Sequence, residues 1–216
     1  MHHLFVYADS LSWGIVPLTR ERLAFAARWP GVLEAGLAAQ GVPARVTEDC
    51  LNGRRTVWDD PFKAGRNGLE GLAPRIEAQS PLALVLLMLG TNDLQSMHPH
   101  HAWHAAQGVA ALVRAIRTAP IEPTMPVPPV LVIAPPPITQ PAGPIAPKFA
   151  GGAAKSQGLA AAYAEVCAEL GCAYFDAGAV VQASALDGVH LDAAAHVALG
   201  QALTPVVAAL VSSSPP

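Results

Sequence analysis

The stretch Leu82-Ala83-Leu84-Val85-Leu86-Leu87-Met88-Leu89 contains no polar side chain, and Gly90-Thr91-Asn92-Asp93 follows it directly. A strand that is apolar along its whole length is typical of a sheet that helices cover on both faces. The glycine and the polar residues after it mark the point where such a strand ends. The sequence therefore predicts a strand of a buried parallel sheet, with polar side chains at its carboxyl end.

Strand and helix patterns alternate along the rest of the chain. Strand patterns bounded by Gly, Pro or Asp occupy residues 4–7, 45–46 with their flanks, 82–89, 130–134 and 173–175. Helix-length segments lie between them, at residues 25–40, 69–79, 102–118, 153–170 and 192–210. This alternation predicts an α/β protein with a parallel, helix-covered sheet. We expect residues 1–216 to form a single domain, because that length suits one substantial core.

The composition narrows the range of partners. Charged residues make up 13% of the chain, against roughly 25% in ordinary soluble domains, and apolar residues make up 52%. We therefore expect other subunits to bury part of the surface, in a homo-oligomer. The net charge of -3 and the pI near 6.2 provide no basic field for a phosphate backbone, so no nucleic-acid partner is expected.

The cysteines and the apolar segments indicate the compartment. Cys50, Cys167 and Cys172 form neither a paired framework nor a Cys-x-x-Cys metal motif, which predicts free thiols in a reducing environment. Residues 82–89 are too short to cross a bilayer, and polar residues and a proline interrupt residues 193–216. The first residues run into a strand pattern without a basic leader. We expect a cytoplasmic protein with no membrane partner.

Three polar segments are predicted to meet at one edge of the sheet. Asp9-Ser10-Leu11 follows the first strand, Gly90-Thr91-Asn92-Asp93 follows the third, and Asp187-Gly188-Val189-His190-Leu191 precedes the last helix. Ligands of such sheets bind at the carboxyl ends of the strands. A serine hydroxyl becomes a nucleophile when an imidazole takes its proton and a carboxylate orients that imidazole. The predicted nucleophile, general base and orienting carboxylate are Ser10, His190 and Asp187.

These segments also resemble a known family. The blocks that resemble those of the SGNH or GDSL hydrolases are, in order, Asp9-Ser10-Leu11 with Ser12-Trp13-Gly14, Asn52-Gly53-Arg54, Gly90-Thr91-Asn92-Asp93 and Asp187-Gly188-Val189-His190-Leu191. The chain is most similar to bacterial arylesterases with acyltransferase and perhydrolase activity, through segments such as Arg28-Trp29-Pro30-Gly31-Val32-Leu33 and Val57-Trp58-Asp59-Asp60-Pro61. The resemblance spans essentially the whole chain. It implies a three-layer α/β/α sandwich with a flavodoxin-like sheet of five parallel strands, and no cofactor.

The resemblance further implies an oxyanion hole, a set of donors for the negative charge of the tetrahedral intermediate. Its members would be the backbone amides of Ser10 and Gly53 and the side-chain amide of Asn92. Two positions depart from the family pattern. Ala8 stands where the family usually has glycine, which affects the turn geometry. Arg55 stands where these arylesterases more often have threonine, and we expect it to change the rim of the pocket.

Several residues near the motifs are candidates for binding the substrate. The predicted substrate-binding residues are Trp13, Asn52, Arg54, Trp58 and Phe149. Core packing explains the aromatic ones equally well, and Arg54 is as well suited to pair with Asp59 or Asp60. The proline-rich residues 135–147 form either one wall of a substrate channel or a plain connection.

Other polar residues have a simpler interpretation. His196 lies inside the last predicted helix, which favours a structural role over that of the base. Asp9 and Asp93 are expected to anchor loops through backbone amides beside the site. A histidine cluster at His98, His100, His101 and His104 has no accompanying carboxylate or cysteine, so no metal site is predicted.

The predicted function is hydrolysis of small carboxylic esters, aryl or alkyl, through an acyl-serine intermediate. The family resemblance implies that alcohols or hydrogen peroxide compete with water for the acyl group. The alternatives within the enzyme class are a carbohydrate O-deacetylase and a lysophospholipase or thioesterase with the same three residues. The alternative from another class is a catalytically silent binding module.

Overall fold

Five parallel strands form the sheet in a computed structural model that describes residues 1–213; residues 214–216 of the predicted domain lie outside it. The strands are β1 (His2–Ala8), β2 (Ala44–Cys50), β3 (Leu84–Met88), β4 (Val130–Ala134) and β5 (Ala173–Asp176). Their order is β2-β1-β3-β4-β5, and every neighbouring pair is parallel. This is the flavodoxin-like order, so the predicted sheet is confirmed.

Helices cover both faces of this sheet. The α-helices are α1 (Ser10–Trp13), α2 (Trp29–Ala39), α3 (Leu72–Gln79), α4 (Ala102–Arg117), α5 (Gly152–Lys155), α6 (Leu159–Leu170) and α7 (Ala193–Ser213). Short 3₁₀ helices occupy Phe25–Ala27, Thr91–Leu94, Gly143–Phe149 and Ala177–Ala179. Phe5 and Tyr7 of β1 face a core with α3, α4 and α6, whereas Leu4 and Val6 face a core with α2 and α7. The predicted three-layer α/β/α arrangement is confirmed.

Two predicted helices are interrupted in the structure. Residues 25–40 divide at Arg28, which has the extended backbone of an N-cap residue, and its guanidinium is bonded to Glu48 of β2, with 3.0 Å between Nε and Oε1. The second helix then begins with Pro30 in its first turn, where a missing N–H is tolerated. Residues 153–170 divide at Gly158, which has φ = +76° and separates α5 from α6.

The last helix is long and apolar enough to cross a membrane by length and composition, with a mean hydropathy of 1.6 over Ala193–Ser212. Its inner face, however, carries Leu199, Leu203 and Val207, which are fully buried in the core shared with α2. Packing in this core therefore accounts for the apolar residues of the inner face, and 39% of the apolar window is buried. Asp192 accepts a hydrogen bond from the backbone N–H of Ala195 at 2.8 Å and so caps the start of α7.

The strand order places the polar segments together. β1 lies beside β3, and α1 follows β1 while the 3₁₀ helix Thr91–Leu94 follows β3 after two residues. The chain passes from β1 to β2 on one side of the sheet and then to β3, β4 and β5 on the other side. A crevice opens at the carboxyl edge between β1 and β3, where the strand order changes direction. The loop before α7 reaches the same edge.

Candidate active site

Ser10 is held at the start of α1, immediately after β1. Asp9 caps this helix, because its Oδ1 accepts a hydrogen bond from the backbone N–H of Leu11 at 2.9 Å. Gly14 ends the helix with φ = +84°. The turn fixes the Ser10 hydroxyl at the carboxyl edge of the sheet, where the side chain is almost fully buried.

The structure brings the hydroxyl of Ser10, the imidazole of His190 and the carboxylate of Asp187 together. Ser10 Oγ lies 3.2 Å from His190 Nε2, and His190 Nδ1 lies 2.7 Å from Asp187 Oδ2. An ionised carboxylate only accepts, so the proton of a neutral ring belongs on Nδ1, and Nε2 is left to accept from the hydroxyl. All three side chains are almost completely buried.

A tight loop directs His190 and Asp187 into the same space. Asp187 Oδ1 accepts hydrogen bonds from the backbone N–H groups of Val189 at 3.0 Å and His190 at 2.9 Å. Gly188 has φ = +72°, and a Cβ there would lie 2.2 Å from the carbonyl oxygen of Gln140. Glycine is therefore required at this turn, both by the backbone conformation and by the close approach.

The hydrogen bonds also keep Asp187 ionised. Burial acts to raise the pKa of Asp187, but the hydrogen bond from His190 and those from the two backbone amides outweigh it. The pKa of Asp187 is therefore lower than its ordinary value, and the group carries a negative charge at neutral pH.

The predicted oxyanion donors differ in whether they already have hydrogen-bond partners. The backbone N–H groups of Ser10 and Gly53 donate to no other group within residues 1–213. Asn92 Nδ2, in contrast, lies 2.9 Å from Asp9 Oδ2 and 3.1 Å from the carbonyl oxygen of Arg54. A side-chain amide has two hydrogens, so an oxyanion must share or replace one of these acceptors.

A cleft of about 340 Å³ opens beside Ser10 and His190. Its apolar lining is Ile15, Pro144, Ile145 and Phe149, its charged lining is Arg20, Asp60, Lys63 and Lys148, and Asn52, Gly53 and Asn92 complete it. One wall belongs to the 3₁₀ helix Gly143–Phe149, so part of residues 135–147 borders this cleft. Asn52 Oδ1 is buried and has no hydrogen-bond partner among the described residues, which leaves an acceptor for a ligand.

Three of the predicted substrate-binding residues do not line the cleft. Trp13 borders another cavity, at the edge of β2, and Trp58 packs against His100 with 4.1 Å between ring centroids and 35° between the ring planes. Arg54 is buried against the ring of Tyr7, and its Nη2 lies 2.6 Å from Asp49 Oδ1. Asn52 and Phe149 are the two that the structure brings to the cleft.

Arg55, not Arg54, forms the ion pair with Asp60, and the two oppositely charged groups are 3.2 Å apart. The Arg55 side chain is fully buried, so it lies beneath the cleft rather than at the rim. Its Nε donates to the carbonyl oxygen of Asn92 at 3.2 Å, and its Nη2 donates to Gln95 Oε1 at 2.7 Å. Gln95 Nε2 in turn donates to Asn92 Oδ1 at 2.8 Å. Arg55 thus supports the Asn92 side chain, which the sequence did not indicate.

Asp9 and Asp93 anchor loops, as expected. Asp93 Oδ1 accepts from the backbone N–H of Thr56 at 2.9 Å, and Oδ2 accepts from the Thr56 hydroxyl. Burial is the main reason that the pKa of Asp93 is raised to about 7 and that of Asp9 to about 6. Both carboxyl groups therefore titrate near neutral pH.

Apart from His190, no histidine of residues 1–213 lines the cleft beside Ser10. His196 is buried in α7, its Nδ1 accepts from the backbone N–H of Trp29 at 3.3 Å, and burial lowers its pKa to about 4. His98 and His100 stack with 4.8 Å between ring centroids. Within the described part of the chain, no three His, Cys, Asp or Glu side chains are arranged to hold a metal ion.

Comparisons with known proteins agree on one family. The GDSL-like Lipase/Acylhydrolase family matches residues 9–198. No curated protein matches the chain. A solved aryl esterase from M. smegmatis is 34% identical over 97% of this chain and 100% of its own, with a TM-score of 0.92. A carbohydrate acetylesterase from Sinorhizobium meliloti is 33% identical over the same shares, with a TM-score of 0.91. A putative arylesterase from Agrobacterium tumefaciens is 41% identical over the same shares, with a TM-score of 0.88.

The free energy of unfolding should fall less with rising pH in Asp93→Asn than in the wild type. The folded pKa of Asp93, about 7, exceeds its ordinary value of 3.8, so between these values the folded state retains a proton that the unfolded state has lost. The free energy of unfolding therefore falls through this pH window, by roughly a few kcal/mol for this group. An asparagine keeps an oxygen that accepts from the Thr56 N–H, and its amide group would donate to the Thr56 hydroxyl instead of accepting from it, without the titration.

Denaturant unfolding at pH 4.5, 5.5, 6.5 and 7.5 measures this effect. Glu77→Gln, which removes an exposed carboxylate from α3, controls for the change in net charge. Parallel pH profiles for the wild type and Asp93→Asn would show that Asp93 does not titrate in this range.

Proposed function

Because the chain belongs to the GDSL-like lipase/acylhydrolase family and is a carboxylic ester hydrolase, we propose that Ser10, His190 and Asp187 cleave small esters through an acyl-serine intermediate. The observation that carries the proposal is the continuous path of hydrogen bonds from Ser10 Oγ to His190 and from His190 to Asp187. A hydroxyl, a base and an orienting carboxylate in this geometry form a nucleophilic site.

In the first half of the reaction, Ser10 Oγ bonds to the acyl carbon while its proton passes to His190 Nε2. The imidazolium formed is stabilised by the ionised Asp187. When the tetrahedral intermediate collapses, the bond to the alcohol oxygen breaks and His190 returns the proton to the leaving alcohol. In the second half, water adds to the acyl carbon, its proton passes to His190, and Ser10 leaves with that proton.

The oxyanion of each intermediate would accept from the backbone N–H groups of Ser10 and Gly53 and from Asn92 Nδ2. The two backbone donors support this role because they lack other partners within the described chain. Asn92 supports it through its position, which Asp9, Gln95 and the Arg54 carbonyl fix from three sides. The two backbone donors are oriented and unoccupied, so they would stabilise developing charge without reorganisation, whereas Asn92 Nδ2 would have to share or exchange one of its present acceptors.

The substrate proposed is a small aryl or alkyl ester. A cleft of about 340 Å³ lies near the lower end of the volumes typical of small-molecule sites. Phe149 offers an apolar surface and Asn52 Oδ1 offers an acceptor for a hydroxyl or amide. The aryl esterase and putative arylesterase among the similar structures support this class. Transfer of the acyl group to alcohols or hydrogen peroxide belongs to the same proposal.

A second candidate function is removal of acetyl groups from carbohydrates. The carbohydrate acetylesterase from Sinorhizobium meliloti is about as similar to this chain as the aryl esterase is. We also propose a homo-oligomer in the cytoplasm, because only 13% of the residues are charged and the three cysteines are free.

Ser10→Ala should abolish covalent labelling by a fluorophosphonate probe and hydrolysis of phenyl acetate, because the attacking oxygen is removed. The matched control is Ser12→Ala, which removes a buried hydroxyl two residues away that accepts from Trp29 Nε1. The control should keep labelling and turnover per folded molecule. Undiminished labelling of Ser10→Ala would exclude Ser10 as the nucleophile. A wild type without labelling or turnover would favour the binding module.

Asn92→Ala should lower kcat/KM for phenyl acetate by about 10² to 10³, mainly through kcat, because the lost donor acts on the transition state. Initial rates measure the loss of activity, and thermal melts of the same samples show whether the variant is still folded. Asn67→Ala, at an amide that lies outside the cleft and bonds Asp59, serves as the control. A loss smaller than about fivefold would remove Asn92 from the oxyanion hole.

A panel of three substrates separates the candidate functions. Phenyl acetate should be cleaved with a higher kcat/KM than either an O-acetylated xylose or a long-chain lysophospholipid, because the cleft is small. The released acid can be measured by titration in all three cases. Preference for the acetylated sugar would favour the carbohydrate acetylesterase, and preference for the lysolipid would favour a lysophospholipase.

A further inference from the structure

Positive side chains are concentrated around the cleft. The chain has only three lysines, and two of them, Lys63 and Lys148, line the cleft together with Arg20. All three side chains are exposed to solvent, so a molecule that enters the cleft can reach them. The third lysine, Lys155, has a structural role, because its ammonium donates to the carbonyl oxygens of Gln95 and His98. The chain as a whole has a net charge of -3, so the positive charge at the cleft contrasts with the charge of the rest of the protein.

The carboxylate that lines the cleft is already paired with another cation. Asp60 Oδ2 is paired with the buried guanidinium of Arg55, and Asp60 Oδ1 accepts from the backbone N–H of Phe62 at 2.9 Å. Because Arg55 needs a negative partner in its buried position, the charge of Asp60 is largely cancelled there. Within residues 1–213, none of the three cleft cations forms an ion pair.

The cations are close enough to affect one another. Partial loss of water around the Lys148 ammonium lowers its pKa, Asp60 opposes this effect, and the charges of Arg55, Arg20 and Lys63 lower the pKa further. Repulsion between like charges at one cleft is relieved when an anion binds among them. The cleft therefore favours an anionic ligand over a neutral ligand of the same shape.

We propose that this cleft selects esters that carry a carboxylate in addition to the ester bond, held by Arg20, Lys63 and Lys148 while Ser10 attacks. The proposal rests on the proposed esterase function and specifies its substrate class. Arg20 also borders a smaller cavity beside His190 and Asp187. Cations in a concave site raise the local concentration of an anionic substrate and strengthen its binding.

Two matched pairs of substrates test the preference. In the first, 4-acetoxybenzoate is compared with its methyl ester, which places the charge on the alcohol portion. In the second, the phenyl half ester of adipic acid is compared with its methyl ester, which places the charge on the acyl portion. For at least one pair, kcat/KM for the anion should exceed that of the neutral ester by about fivefold at low salt. The ratio should fall towards one at 0.5 M salt, because ions screen exposed charges.

Substitutions of the two cleft lysines test whether the preference for anionic esters arises in the cleft. Lys63→Gln and Lys148→Gln should each lower the anion-to-neutral ratio of kcat/KM by about two- to fivefold, and the double variant by about tenfold. The control is Arg45→Gln, which removes an exposed positive charge near the start of β2, at the opposite edge of the sheet. Arg45→Gln should leave the ratio unchanged.

Each result decides the proposal. If the wild type cleaves both neutral esters but shows no preference for either anion, the carboxylate preference is wrong and the esterase proposal stands. An unchanged ratio in the double variant would also overturn the assignment to this cleft. If neither member of either pair is cleaved and no fluorophosphonate label appears, the esterase proposal fails and the preference fails with it.

Discussion

The parallel pairing of β1 with β3 is the constraint on which the site depends. In that register Ala8 lies opposite Met88, so the two strands end side by side. Asp9 and Asn92, which follow these strands, therefore lie close together at the carboxyl edge of the sheet. The hydrogen bond between Asp9 and Asn92, at 2.9 Å, joins residues that are 83 positions apart. A shift of one residue would turn every apolar side chain of these buried strands to the opposite face. Core packing thus fixes the geometry at the carboxyl edge of the sheet, where the proposed site lies.

Two adjacent buried guanidinium groups connect the loops above these strands. Arg54 donates to the carbonyl oxygen of Ala8 at 3.0 Å, and Arg55 donates to the carbonyl oxygen of Asn92 at 3.2 Å. A buried cation requires acceptors of this kind, since an unpaired donor in the interior destabilises the fold. One dipeptide therefore anchors the ends of both β1 and the segment after β3. The loops around Ser10 are held in place before any substrate arrives, which favours oriented donors.

The sequence predicted the parts of the molecule that depend on apolar pattern and chain order. The strands, the covering helices and the convergence of Ser10, His190 and Asp187 follow from apolar runs and from the shared edge of a parallel sheet. The roles of Arg54 and Arg55 did not follow, because adjacent side chains on a turn point in different directions and spacing alone cannot assign their partners. The break at Arg28 was not predicted either, although Pro30 in the first turn of α2 is a local signal for a helix start. The partner of Arg28, Glu48, lies on another element and could not be assigned from spacing.

The carboxyl groups around the site differ in charge because they differ in hydrogen bonding. Asp187 accepts from an imidazole and two backbone amides and has a lowered pKa, whereas burial raises the pKa of Asp9 to about 6. In the proposed mechanism, an ionised Asp9 would compete with the oxyanion for the amide hydrogens of Asn92 and would repel it. Protonation of Asp9 as the pH falls towards 6 would weaken both effects. Asp187, whose pKa is lowered, keeps its negative charge over the same range and would stabilise the imidazolium.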